Sequence, residues 1–396
     1  MTLKPKIRTL IEGLVTLACI LLALEICTRL FANVFDGVIV RDRDSVIERD
    51  EIIGARYKRS LDILRYNAES NQMVPLQTNA EGFNDDEWAL DKPAGVRRVA
   101  ILGDSFIAAT QFPRNEILTS RLQRQLNNSN GHRCEVMNFA IAGASTGQQL
   151  VLYRELASKY DPDLVILGFH TETDVWDNSD ELSHIPILRC RIGDNGQLEE
   201  VRIPASQQNR STFLNRHSHF YNWQKNVTNR FIKQVRRSIQ PVQPLKTEHH
   251  VFNINPDPRY LRAWELTGKI LEQIQVETSR DGARLLVVSI PGSKQVYHDQ
   301  FKQLMERGGE EVTLEAEFPD KRLAAICQRS GIPYLSLFPA FRASAPGRDS
   351  QILSQRLFLK GTGHLNKKGH ELAATAISSW IAGAKTLEIP APPKKR

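Results

Sequence analysis

The stretch RRVAILGDSFIAATQFPRNE, residues 97–116, decides the fold class of this chain. It opens with an apolar run typical of a buried strand, and Gly103-Asp104-Ser105 then leads into a segment with helical character. Open α/β sheets bind ligands where a strand ends and a helix begins, and the helix N-terminus offers backbone N–H donors there. Ser105 is therefore a candidate nucleophile, and a Ser/Asp helix cap is the simpler alternative.

Strand-like and helix-like segments alternate through the rest of the chain. Strands are predicted at 97–103, 135–143, 162–169, 283–291 and 332–338, and helices at 115–128, 145–160, 261–278, 321–331 and 366–383. Because the strands are apolar on both faces, they indicate a parallel sheet that helices cover on both sides. The predicted fold is a three-layer α/β/α sandwich with a mainly parallel, flavodoxin-like sheet.

The composition is that of an ordinary globular protein. Of 396 residues, 41% are hydrophobic and 24% are charged, which excludes a disordered or fibrous chain. The formal net charge of +7 identifies no acidic partner by itself. The five cysteines show neither a Cys-x-x-Cys pair nor metal-ligand spacing, so neither a zinc site nor a disulfide framework is predicted. No metal, organic cofactor or nucleic-acid partner is expected, and the oligomeric state stays open.

The N-terminal segment is predicted to be a transmembrane helix that anchors the chain. Three cations precede the uncharged stretch 13–24, and apolar character continues to residue 35 apart from Glu25 and Arg29, which an i,i+4 spacing lets pair on a helix. The cations would keep the N-terminus in the cytoplasm and the bulk of the chain outside. A cleaved signal peptide requires a small-x-small site after the apolar core, and the sequence offers no convincing one. A lipoprotein requires a cysteine at the end of the apolar core, whereas Cys19 lies inside it. A buried helix of a soluble protein is the remaining alternative.

The chain divides into four predicted parts. Residues 1–35 form a cytoplasmic tip and the anchor, 36–95 a membrane-proximal stem that packs on the domain, 96–385 the main domain, and 386–396 a Pro/Lys-rich tail.

A basic insertion interrupts the main domain at about 180–260. From Val201 to Thr247 the sequence has no acidic residue, and its cations are interleaved with aromatic residues. Such a segment suits an amphipathic helix on anionic lipid or on an acidic polysaccharide. The alternative is a solvated helix whose aromatic residues pack on the domain.

Three further patches follow strand ends or precede helices. Gly143 lies in AGAST, Thr173 and Asp174 lie in HTETD, and His364 lies in GTGHLN. A doubly wound sheet would bring them to one edge with Ser105. A hydroxyl nucleophile, an imidazole base and donors for an oxyanion are the groups that ester chemistry needs.

With these patches, and with the lead-in TNAEGFNDDEW at 78–88, the sequence resembles the SGNH or GDSL-type hydrolase superfamily. The resemblance covers about residues 80–385 and is to membrane-anchored bacterial members. It implies a location in the bacterial inner membrane, single-pass, with the catalytic domain in the periplasm.

The resemblance also assigns roles to individual residues. Ser105 would be the nucleophile and His364 the general base. The backbone N–H groups of Ser105 and Gly143 would donate to the oxyanion, with Asp104 and Asp174 in supporting positions.

Two positions depart from the family pattern. Thr173 stands where the family has an asparagine that donates to the oxyanion, so Thr173 would be a weak donor. Gly361 and Thr362 stand where the family has an aspartate that orients the histidine. Such losses cost about 10²–10³ and about 10⁴ in turnover in well-studied enzymes. The expected site is a Ser105–His364 dyad, with Thr362 accepting a hydrogen bond from the ring.

The expected function is ester hydrolysis or O-acyl transfer outside the cytoplasm, on acetylated carbohydrate or another envelope ester. One alternative is a catalytically degenerate protein that binds carbohydrate or envelope material. A further alternative is a lipid-directed esterase whose basic insertion lies on the membrane. Membrane lipid would contact the anchor in each case, and the acyl group and its acceptor stay open.

We expect the residues beyond about 35 to lie outside the cytoplasm, because cations precede the apolar helix. A reporter enzyme that is active only outside the cytoplasm should therefore be active when it is fused after residue 60. A reporter that is active only in the cytoplasm would contradict the predicted anchor.

Overall fold

The computed structural model describes the chain in segments, namely residues 5–31, 46–50, 52–67, 69–129, 133–183, 188–201, 214, 218–239, 245–309, 312–345 and 356–384. These belong to two compact units. The smaller comprises Met1–Ile47 and Asn209–Gln243, and the larger comprises Glu48–Gln208 and Pro244–Arg396. The predicted Pro/Lys-rich tail at 386–396 and a large part of the predicted basic insertion lie outside the described residues.

A five-stranded parallel sheet forms the centre of the larger unit. Its strands, in chain order, are β5 (Val96–Gly103), β6 (Arg133–Ala140), β7 (Leu164–His170), β10 (Arg284–Ile290) and β11 (Tyr334–Ser336). They lie side by side in the order β11-β10-β7-β5-β6. This is the flavodoxin-like order 2-1-3-4-5, so the predicted sheet is confirmed.

Three two-stranded pairs accompany this sheet among the described residues, and two of them, β3 with β4 and β8 with β9, are antiparallel. They are β1 (Ile47–Asp50) with β2 (Gly54–Tyr57), β3 (Asp62–Asn67) with β4 (Gln72–Gln77), and β8 (Arg189–Ile192) with β9 (Leu198–Val201). The first two pairs fall in the segment predicted as a stem. Strands of four to six residues leave too little hydrophobic pattern to be recognised in the sequence.

Helices cover both faces of the sheet. Those of the larger unit are α2 (Ser105–Ala108), α3 (Leu118–Ser129), α4 (Thr146–Glu155), α5 (Asp174–Asn178), α7 (Pro258–Arg280), α8 (Ser293–Val296), α9 (His298–Gly308), α10 (Phe318–Arg329), α11 (Phe338–Ser344) and α12 (Lys367–Gly383). Helices α4, α7 and α10 pack on one face, and α3 and α12 pack on the other. The three-layer arrangement predicted from the sequence is confirmed.

Alternate side chains of each strand serve the two layers. Leu102 and its neighbour Leu167 belong to one continuous core with residues of α4 and α7. Ile101 and its neighbour Ile166 are equally buried and point the other way, as the pleat requires. Burial on both faces explains why these strands read as uninterrupted apolar runs.

Two glycines allow α2 to lie directly against the sheet. A side chain at Gly103 would meet Ile107 at 2.5 Å, and one at Gly168 would meet the same residue at 2.8 Å. Ile107 therefore fills the space above both strands. This contact sets the position of α2, and hence of Ser105, at the end of β5.

Arg98 ties the sheet to the segment that precedes it. Its guanidinium is fully buried and donates hydrogen bonds to the backbone carbonyls of Ala89, Leu90, Asp91 and Tyr160, and to the Glu135 carboxylate. A charged group at this depth is tolerated only because its donors are satisfied.

The smaller unit contains two contacting helices, α1 (Pro5–Leu30) and α6 (His219–Ile239). From Ile11 to Leu30, α1 is long and apolar enough to cross a membrane, although a signal sequence has the same properties. The predicted pairing of Arg29 with Glu25 is present, at 2.7 Å from Nε to Oε1.

We expect Arg98→Met to lower the free energy of unfolding by about 3–5 kcal/mol, because buried carbonyls and a carboxylate lose their donor. Chemical denaturation of the full-length chain in detergent measures this change. Arg133→Met is the control, because the Arg133 side chain is 72% exposed. It should change the stability by less than about 0.5 kcal/mol. Equal effects of the two substitutions would contradict the role of Arg98.

Candidate active site

Ser105 is the first residue of α2, and only Asp104 separates it from the carboxyl end of β5 at Gly103. The carboxylate of Asp104 caps this helix by accepting a hydrogen bond from the backbone N–H of Phe106 at 2.9 Å. Asp104 is buried, and loss of hydration raises its pKa to about 6. The supporting role predicted for Asp104 is thus consistent with a cap that holds the serine turn.

His364 lies in the loop before α12. Its carbonyl accepts a hydrogen bond from the backbone N–H of Leu359 at 2.7 Å, and Asn366 caps the helix that follows. Gly361 and Gly363 have φ of 95° and 82°, a region that favours glycine. These constraints fix the loop from both sides of the histidine.

The structure brings Ser105 and His364 together and adds a carboxylate to them. His364 Nε2 lies 2.8 Å from Ser105 Oγ, and His364 Nδ1 lies 2.6 Å from Glu69 Oε2. Serine, histidine and glutamate thus form a continuous line of hydrogen bonds. This is the order of contacts found in a catalytic triad.

Glu69 reaches the histidine from the turn between β3 and β4. The side chain of Asn67 shapes this turn by accepting hydrogen bonds from the N–H groups of Glu69 and Ser70, both at 3.0 Å. Arg65 donates to the carbonyl of Thr110, and Gln111 donates to Glu69 Oε2 at 3.2 Å. The hairpin is therefore fastened to the loop that follows α2.

The expectation that His364 lacks a carboxylate partner is not met. Gly361 and Thr362 do occupy the positions next to the histidine, but Glu69 supplies the acid from 295 residues earlier in the chain. Thr362 contributes indirectly, because its side-chain hydrogen bond helps to lower the pKa of Glu69. No sequence spacing relates Glu69 to His364, so no motif around Glu69 identifies it as the partner of the histidine.

The electrostatics of the pair favour its charged form. Burial alone would lower the pKa of His364, but the hydrogen bond and the charge of Glu69, together with the charge of Asp104, outweigh burial and raise it above its ordinary value. Burial would raise the pKa of Glu69, but the hydrogen bond to His364 and the charge of that ring lower it. An imidazolium is thus stabilised at this position when it forms.

Gly143 lies in the turn after β6, next to the nucleophile turn. The N–H of Ile141 donates to the carbonyl of Gly103 at 3.2 Å, and the N–H of Ala144 closes the turn onto Ile141. Gly143 has a φ of 78°, which other residues rarely adopt. The predicted neighbourhood of Gly143 and Ser105 follows from this link between the two strand ends.

Thr173 is held by a second histidine. Its hydroxyl lies 2.7 Å from His170 Nδ1, and the His170 ring stacks on Phe106 with 3.9 Å between centroids. Phe106 also contacts the His364 ring at 5.1 Å. The threonine hydroxyl is thus hydrogen-bonded to His170, a pair that no pattern in the sequence indicates.

Asp174 stabilises the turn between His170 and Thr173. Its carboxylate accepts a hydrogen bond from the N–H of His170 at 3.1 Å. Burial, together with the charge of Asp104, raises the pKa of Asp174 well above its ordinary value. Burial and the nearby His364 lower the pKa of His170 well below its ordinary value. His170 is therefore neutral at neutral pH.

No group of three or more histidine, cysteine, aspartate or glutamate side chains suited to a metal ion occurs among the described residues. The chemistry available at the site is that of a nucleophile, a base and an acid.

Comparisons with known proteins find similarity in solved structures. No family model and no curated protein matches the chain. A lipase/acylhydrolase from Enterococcus faecalis is 12% identical, with 72% of this chain and 96% of that chain covered and a TM-score of 0.39. The acetyl xylan esterase AlAXEase is 10% identical, with 72% and 99% covered and a TM-score of 0.37. A GDSL-like lipase from Bacteroides thetaiotaomicron is 10% identical, with 73% and 89% covered and a TM-score of 0.34. Similarity at this level does not extend to substrate or activity.

We expect Glu69→Gln to slow modification of Ser105 by a fluorophosphonate by about 10³–10⁴-fold at the plateau, because the ring loses its charged partner and its fixed tautomer. Modification requires neutral His364, so its rate falls as the pH drops through the pKa of that residue. Since Glu69 raises this pKa, the acidic limb of the variant should move to lower pH. The rate of labelling as a function of pH measures both effects.

Two controls separate a triad from a dyad. Asp62→Asn changes an exposed acid of the same hairpin and should leave the profile unchanged. Thr362→Asp would place a second acid near Glu69 and should not raise the rate. A faster Thr362→Asp variant, or a Glu69→Gln variant with the normal profile, would show that Glu69 does not assist His364.

Proposed function

We propose that this protein is an SGNH-type ester hydrolase that uses Ser105, His364 and Glu69 as its catalytic residues. The observation that carries the proposal is the pair of hydrogen bonds from Ser105 Oγ to His364 Nε2 and from His364 Nδ1 to Glu69 Oε2. The Gly-Asp-Ser turn after the first parallel strand, and the Gly-His loop before the last helix, support the same assignment.

The reaction would proceed in two steps. Ser105 Oγ attacks the ester carbonyl carbon while its proton passes to His364 Nε2, and the leaving alcohol takes that proton as the carbon–oxygen bond breaks. Water then loses a proton to His364 and attacks the acyl-serine, which releases the acid and restores the Ser105 hydroxyl. Glu69 accepts the Nδ1–H hydrogen bond throughout and balances the charge of the imidazolium.

Backbone donors would stabilise the oxyanion. The N–H groups of Ser105 and Gly143 are the candidates, because the turn of Gly143 is hydrogen-bonded to the strand end that precedes Ser105. The hydroxyl of Thr173 is engaged by His170, so we assign it no direct role. A site with one donor fewer than its relatives would turn over about 10²–10³-fold more slowly.

The substrate class follows from the family resemblance of the sequence. We propose acetylated carbohydrate or another envelope ester, and an acyl-serine could pass its acyl group to a sugar hydroxyl as well as to water. The length and apolar character of α1 support an anchor, and the cations that precede its apolar stretch favour a larger unit outside the cytoplasm. A lipid-directed esterase remains the alternative for an enzyme in this location.

A catalytically silent binding protein is less well supported. It rests on two departures from the family pattern, at Thr173 and at the acid next to His364, and for the second of these Glu69 offers a carboxylate at hydrogen-bond distance from the histidine. A binding role alone would not require three such groups in line.

We expect Ser105→Ala to abolish both fluorophosphonate labelling and hydrolysis of a small activated acetyl ester by the detergent-solubilised full-length chain. Removal of the nucleophile leaves only the slower catalysis that oxyanion donors provide, a loss of about 10³-fold or more. Ser330→Ala, at a half-buried serine directly after α10, is the control and should retain full activity. A wild-type chain that neither labels nor exceeds Ser105→Ala in rate would overturn the proposed enzyme in favour of a binding protein.

A further inference from the structure

Glu25 joins the two helices of the smaller unit. Although it belongs to the apolar helix α1, its carboxylate accepts hydrogen bonds from Ser218 Oγ at 2.7 Å and from the N–H groups of His219 and Phe220 at 2.9 and 3.0 Å. These donors are the start of α6. Glu25 therefore caps α6 from outside that helix, while Arg29 pairs with the same carboxylate.

The cap places the beginning of α6 near one end of the apolar helix. Glu25 precedes the end of α1 at Leu30 by five residues, about 7–8 Å along a helix axis. In a helix that crosses a bilayer, this level is the boundary between hydrocarbon and headgroups. A carboxylate there needs partners, and the first turn of α6 provides them.

The sequence of α6 is amphipathic, as expected of a helix that lies between hydrocarbon and headgroups. Val227, Phe231 and Val235 recur at intervals of four and share one face, and all three are exposed, Phe231 at 66%. The helix has no acidic residue and carries five cations, at positions 225, 230, 233, 236 and 237. The helical period places these positions on the side opposite the apolar face.

We propose that α6 lies in the headgroup region of an anionic bilayer, on the side of the membrane where α1 ends, and that Glu25 holds its first turn at that level. This inference rests on the proposed membrane anchor and is independent of the proposed chemistry. Apolar side chains enter the acyl boundary, and the cations meet lipid phosphates. At about 1.5 Å per residue, the 21 residues of α6 span about 32 Å of surface.

The test is amide hydrogen exchange of the full-length chain in lipid nanodiscs. In discs with one-third phosphatidylglycerol, the amides of residues 227–237 should exchange at least about tenfold more slowly than in pure phosphatidylcholine, because the cations of α6 are attracted to an anionic surface. High salt should remove most of this difference. Lys225→Glu with Lys233→Glu should abolish it, and so should Phe231→Ser, whereas Asn229→Ser should leave it unchanged.

Other outcomes would overturn the proposal. Equal exchange in both kinds of disc, unaffected by the charge reversal, would show that α6 does not recognise anionic lipid. Slow exchange that requires an added soluble protein would assign the surface to a protein partner. Rapid exchange throughout α1 would refute the anchor and the membrane helix together. Hydrolysis of the soluble ester by Ser105, measured in parallel, is expected to be the same in all these variants.

The role of Glu25 has its own measurement. Glu25→Ala removes the acceptor for the N–H groups of His219 and Phe220, so these amides should exchange several-fold faster. Glu12→Ala, at an acid nearer the other end of α1, is the matched control. Unchanged exchange in the Glu25 variant would refute the proposed cap.

Discussion

The 2.6 Å hydrogen bond between His364 Nδ1 and Glu69 Oε2 is the contact on which the site depends. It joins a hairpin that precedes the parallel sheet to a loop that follows its last strand. A charge-assisted bond of this kind is stronger than a neutral one, and partial burial strengthens it further. The hairpin is consequently part of the candidate site, so the segment predicted as a membrane-proximal stem also contributes a side chain to that site.

The sheet and two of the three aligned groups could be predicted because their signals are local. Residues 97–103 read as a buried strand, and Gly103-Asp104-Ser105 marks where that strand ends. The loop of His364 is recognisable from the glycines around it. Strand order then brings the two loops together without further information.

Glu69 could not be predicted because its signal is not local. It lies in a turn between two strands of six residues, and the segment 36–95 contains many other acids from which no sequence pattern distinguishes it. Only the fold of the hairpin, fastened by Arg65 and Gln111, selects one of them. The role of Thr173 was missed for a related reason, since its partner His170 reads in sequence as the end of a buried strand.

The neutral state of His170 matters for the charge on His364. A protonated His170 would place a second cation near His364 and so oppose formation of an imidazolium there. Burial against Phe106 lowers the pKa of His170 and keeps it neutral. The hydrogen bond with Thr173 then holds the ring in place without a charged partner. A neutral His170 therefore adds no repulsion to the charge pair of His364 and Glu69.

Glu25 in the smaller unit and Glu69 in the larger unit are both carboxylates that need hydrogen-bond donors in poorly hydrated surroundings. Each carboxylate would be costly in its surroundings without donors. The sequence predicted the near partner of Glu25, because Arg29 follows at helical spacing, and that ion pair is present. It did not predict the donors at the start of α6, which are more than 190 residues away. Composition and periodicity identify where an acid needs a partner, but only the folded chain identifies which distant donors meet that need.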